Sequence, residues 1–113
     1  MTGEGGDGAL REDIERELQR VTDRLGTMPL QRLSTTTQDV YACAIALVDV
    51  GRLLGVPIPA DASLPELRPQ AYGDLIAVLG RDCLEAVDPT EASAGDRLES
   101  ALAALVTLRR ALP

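Results

Sequence analysis

The chain has 113 residues and a net charge of −7, with 45% hydrophobic and 26% charged residues. It contains no His, Trp, Phe or Lys, only two Cys and two Tyr, but 18 Leu and 15 Ala. Such a balance describes one globular domain with enough apolar mass for a core. It argues against nucleic acid, whose binders concentrate basic charge that releases counterions, and against anionic membrane surfaces.

The longest apolar run, Val40 to Val48, stops at Asp49, well short of the roughly 20 residues a membrane span needs. The opening residues MTGEGGDG have neither the basic region nor the apolar stretch of a secretory signal. A cytoplasmic protein is therefore expected, with Cys43 and Cys83 as thiols. Arginine in place of every lysine, beside abundant Ala, Gly and Pro, fits coding bias in a GC-rich bacterial genome and carries no functional reading.

Residues 1–8 are Gly-rich and polar and read as a flexible tail. A first helix is expected from about Ala9 to Leu25. Leu10, Ile14, Leu18, Val21, Leu25 and Met28 recur every three or four residues, which places them on one narrow face. Acidic Glu12, Asp13, Glu15 and Glu17 suit its positive end, and Arg20 and Arg24 its negative end. Gly26 and Pro29 supply the stop. Leu30 and Leu33 belong to a connector with room for a helical turn.

Ser34-Thr35-Thr36-Thr37 offers several N-caps for a second helix over about Thr37 to Leu54, with Gly55 as its C-terminal stop. Only Gln38, Asp39, Asp49 and Arg52 interrupt its apolar character, so it is expected to be central or covered by a second subunit. Val56 to Pro69 carries four prolines, which forbid a continuous helix. A third helix runs from near Pro69 to Val87, with Tyr72, Leu75, Ile76, Leu79 and Cys83 on one face. Asp88-Pro89-Thr90-Glu91 has the form of a capping box and predicts a fourth helix from Pro89, although Gly95 can delay or kink it. Leu98, Leu102, Leu105, Leu108 and Leu112 mark its buried side. No period-two alternation predicts a strand.

Candidate chemistry is sparse. Glu12-Asp13-x-Glu15-x-Glu17 has the look of a divalent-cation cluster, and helical nucleotide pyrophosphohydrolases of the MazG type space carboxylates in a similar way. Those enzymes need a second acidic helix facing the first, where this chain has only Asp39 and Asp49. Ala71 also stands where a further carboxylate is wanted. The run is read instead as a complement to the helix dipole. Cys43 and Cys83 cannot complete a four-ligand zinc site without His, and they lack C-x-x-C spacing. They are read as small buried hydrophobes. Without His or Lys a serine nucleophile has no base. Asp49 and Arg52 interrupt the most apolar helix; they are read mainly as an exposed edge, and otherwise as a pocket floor or a pair across a dimer interface. Arg109 falls on the Leu-rich face of the fourth helix, where it can snorkel or meet an acidic group on a partner.

The expectation is an all-α, four-helix antiparallel bundle with a proline-rich connector between the second and third helices, formed by residues 9–113. Surplus apolar helix surface with few reactive groups predicts a non-enzymatic protein–protein interaction module, either self-associating as a homodimer or serving another protein. No cofactor, metal, nucleic acid or membrane is expected to take part. The alternative is a small-molecule-binding bundle with a pocket between the second and third helices, lined by Tyr41, Asp49, Arg52 and Tyr72.

Overall fold

A computed structural model describes the backbone of residues 2–113 and the side chains of residues 8–113. It contains five α-helices: α1 (Thr2–Thr27), α2 (Leu30–Leu33), α3 (Thr37–Leu53), α4 (Tyr72–Ala86) and α5 (Ala94–Ala111). A single 3-10 turn, Pro69–Ala71, leads into α4, and no strand occurs among the described residues. Of the tail expected over residues 1–8, Met1 and the side chains of residues 2–7 lie outside the described residues. The backbone is helical from Thr2, so the start expected near Ala9 falls inside α1.

The apolar stripe read on α1 is the one that is buried. Ile14, Leu18, Val21 and Leu25 are all at most 4% exposed, with Leu10 and Met28 packed at its ends. Burying each such side chain is worth about 1.5–3 kcal/mol, which is why this stripe and not intrinsic propensity orients the helix. It meets Val40, Ala44 and Leu47 of α3, Ile76 and Cys83 of α4, and Leu98, Leu105 and Leu108 of α5 in one core. Among the long helices, α1 packs on α4 and α5, and α3 packs on the same two.

Residue pairs set the directions. Arg11 reaches the Leu84 carbonyl, Leu18 lies against Gly80, and Leu25 lies against Gly73, so α1 and α4 run oppositely. Glu17 meets Arg109 and Arg24 meets Pro113, so α1 and α5 run together. Thr37 meets Tyr72 and Leu47 meets Cys83, so α3 and α4 also run together. This last pair departs from the antiparallel neighbours expected of short connections, and the cause is the proline-rich connector.

After α3, Gly55 takes a left-handed conformation (φ 95°) and the amides of Gly55 and Val56 close back on Arg52 and Gly51, the pattern of a Schellman stop. The chain then retraces α3. Val56 and Ile58 cover Gly51, Arg52 donates to the Pro59 carbonyl (2.8 Å), and Tyr41 holds Pro65 and Leu67. Helix α3 spans roughly 26 Å at 1.5 Å per residue. An extended connector of about 15 residues has ample reach to return along it.

One further helix start and one expected cap differ from the sequence reading, while α3 begins at Thr37 as expected. Helix α5 starts at Ala94, not Pro89. Asp88 Oδ1 accepts from the Thr90 amide (2.9 Å) and hydroxyl (2.6 Å) instead of from Glu91, so the segment closes as an Asx turn. At the α2–α3 junction none of the polar side chains caps α3. The hydroxyls of Ser34, Thr35, Thr36 and Thr37 each donate back to a carbonyl three or four residues earlier. Thr36 already has near-helical backbone (φ −97°, ψ 0°), which turns its side chain away from the amides ahead.

Candidate functional site

Of the four residues expected to line a pocket, the structure brings two together. Tyr41 of α3 and Tyr72 of α4 meet edge-to-face, with ring centroids 5.9 Å apart and planes at 84°, a favoured aromatic geometry. Both hydroxyls are engaged within the fold. Tyr41 donates to the Pro65 carbonyl (2.8 Å) and accepts from the Leu67 amide (3.0 Å), and Tyr72 bonds the Thr37 hydroxyl (2.8 Å). These are pins for the connector and for the parallel α3–α4 pair. Arg52 lies three turns along α3 from Tyr41 and ties down Pro59. It forms no ion pair with Asp49 among the described residues; Asp49 is exposed on the outer side of α3.

One polar centre escaped the sequence reading. Glu17 sits inside the α1 stripe, between Ile14 and Val21, and is only 7% exposed. Its two carboxylate oxygens are divided between Arg20, at 3.0 Å, and Arg109 from α5. Arg109 therefore meets an acidic group of its own chain, not of a partner. The signal was present in the numbering: residue 17 lies three after Ile14 and four before Val21, the spacing of the stripe itself.

Cys43 and Cys83 are both buried and free. Burial pushes the Cys43 thiol up to about 12. Burial, with a smaller contribution from the neighbouring charge of Asp82, pushes Cys83 up to about 11. Cys83 donates to the Leu47 carbonyl (3.3 Å). Thiols so hard to ionise are packing groups, since the thiolate is the reactive form. No group of three or more Cys, Asp or Glu suited to a metal ion occurs among the described residues. No helix among them is long and apolar enough to cross a membrane.

Two of the four large apolar side chains that are exposed among the described residues, Ile45 and Leu53, lie on α3. Ala42, Ile45, Ala46, Asp49 and Leu53 fall within one third of its circumference. Ile45 is 54% exposed and Leu53 59% exposed. Beside them a shallow groove of about 320 Å³ runs between α3 and α5. Its walls are Ala42, Cys43 and Ala46 on one side and Ala103, Ala104 and Thr107 on the other, with Asp39 and Ser100 at its rim. Small side chains keep it open by leaving room between the two backbones. A scan of family models, a search of curated proteins and a search of solved structures each found no match to this chain.

Proposed function

We propose that this chain is a non-enzymatic, cytoplasmic interaction module: a bundle of four long helices with one crossover connection that presents the α3–α5 groove to a helix of a protein partner. A second copy of the chain is the first partner to test. The observation that carries this reading is the exposed apolar stripe of α3 lying beside a groove walled by alanines. An amphipathic helix can lay its apolar face into such a groove, and small wall residues permit close backbone approach. Asp49, in the middle of the stripe, supplies one charge for register with a basic group on the incoming helix.

A photo-crosslinking residue placed at Ala42 or Ala103 in cells should yield one discrete protein adduct, and the same residue at Glu85 should yield none. Equal, diffuse labelling at all three positions would remove the proposal. Whether the partner is a second copy is read separately, from the sedimentation mass of the purified chain and of Ile45→Arg. A dimer that the substitution turns into a monomer supports self-association; a monomer in both assigns the groove to another protein.

The alternative, a small-molecule pocket between α3 and α4, has less support. Tyr41 and Tyr72 spend their hydroxyls on the fold, and Arg52 and Asp49 lie elsewhere on α3.

A further inference from the structure

At the end of the bundle where α1 and α5 terminate together, the charge of this acidic chain reverses. Two adjoining recesses lie there, of about 550 Å³ and 380 Å³, and they share Arg24 and Thr27. Arg20, Arg24 and Arg109 line the larger and Arg24 and Arg32 the smaller, with Asp23 as the one acidic side chain on either wall.

Two of these guanidiniums are held in place from below. The buried Glu17 carboxylate engages Arg20 through one oxygen and Arg109 through the other, so a single negative charge fixes two positive ones side by side. Arg24 is anchored on the Pro113 carbonyl, one turn along α1 from Arg20. Arg32 forms no ion pair among the described residues. Each anchored guanidinium has five N–H donors and commits only one to these bonds, leaving donors for a ligand. Helix C-termini alone would attract one or two arginines by their dipoles. That attraction is weak for Arg32, whose helix α2 has only four residues, and it does not account for the shared recess.

We infer that this end of the bundle binds a small anion carrying two or more adjacent negative groups, of the polyphosphate or polycarboxylate type. The two-lobed shape with a shared arginine suits two charged centres, and the recess volumes fall in the range of small-ligand sites. Preordered guanidiniums favour planar or forked oxyanions over chloride. The site is distinct from the α3–α5 groove and does not depend on the reading given to that groove.

The test is calorimetric titration of the intact chain with inorganic pyrophosphate and with citrate, against sodium chloride at matched ionic strength. Saturable binding of either anion should weaken about tenfold in Arg24→Gln and in Arg32→Gln, the loss expected for one charge-assisted hydrogen bond. Arg81→Gln, on the α1–α4 side, should bind as the parent does. Pyrophosphate or citrate preference identifies which oxyanion the site favours. No saturable heat at millimolar anion, or binding unchanged in both Arg24→Gln and Arg32→Gln, overturns the inference. Far-ultraviolet circular dichroism of each variant separates lost binding from lost folding.

Discussion

Glu17 shows how one position on an otherwise apolar stripe can join two helices. Removing its charge leaves Arg109, about one third exposed at its side chain, facing a neutral amide in a poorly solvated gap. Breaking a fully buried pair costs about 3–5 kcal/mol; with Arg109 and Arg20 partly in water, about 2 kcal/mol is expected for Glu17→Gln. Urea unfolding should show the midpoint falling with the slope unchanged. The double variant Glu17→Leu with Arg109→Met should recover most of that loss, because apolar groups of similar volume carry no desolvation penalty. If the double variant is as unstable as the sum of its single changes, the pair is not coupled and this account of Glu17 fails.

At the level of elements, two features hold α4 where it lies. The first is close approach to α1: a Cβ on Gly80 would stand 2.8 Å from one methyl of Leu18 and 3.0 Å from the other. A methyl there is tolerable if Leu18 rotates, and helix propensity returns about 1 kcal/mol, so Gly80→Ala should be close to neutral. Gly80→Leu has no such outlet and should destabilise by about 2 kcal/mol or more through overpacking, measured by thermal or urea unfolding. The second feature is the connector, pinned by one phenol. Tyr41→Phe removes both its bonds to Pro65 and Leu67 and should cost about 1 kcal/mol, since water can replace part of the loss. Hydrogen exchange should quicken at Leu67 and its neighbours while the centres of α1 and α5 keep their protection. Faster exchange throughout the molecule would mean that the connector is not a separable element.

Across the whole molecule, the extents of 48 × 31 × 16 Å describe a slab. Its thin axis matches two layers of helices packed at about 8–10 Å. Global stability should depend on pH through the core thiols. Both have folded values above the ordinary thiol value of 9.0. Their contribution is therefore complete below that value and is lost as pH rises toward about 11 and 12, where the unfolded chain ionises first. Unfolding midpoints should fall steeply above pH 9, and Cys43→Ala should flatten the fall. A midpoint unchanged between neutral pH and pH 11 would place the thiols in a more polar setting than the structure does. In the acid direction Asp88 acts oppositely. The Thr90 hydroxyl, and then its amide, hold its carboxyl below the ordinary range, so the turn's support is present at neutral pH and lost on acidification.

Periodicity made the helical class, the buried faces of α1 and α5 and the Gly55 stop legible, because burial of every third or fourth residue is a local property of the chain. Asp88-Pro89-Thr90-Glu91 misled for a related reason: a capping box and an Asx turn share residues, and only the packing of Ala94 and Leu98 selects where α5 starts. The sequence offers Tyr41 and Tyr72 as polar linings, yet the path of the connector turns their hydroxyls into fasteners. The sequence by itself determined that helices would form and which stripes they would bury. Tertiary structure alone decided that α4 runs with α3, that Glu17 and Arg109 meet across 92 residues, and that four arginines gather at one end. Those outcomes depend on chain path and relative helix rotation, which no local spacing encodes.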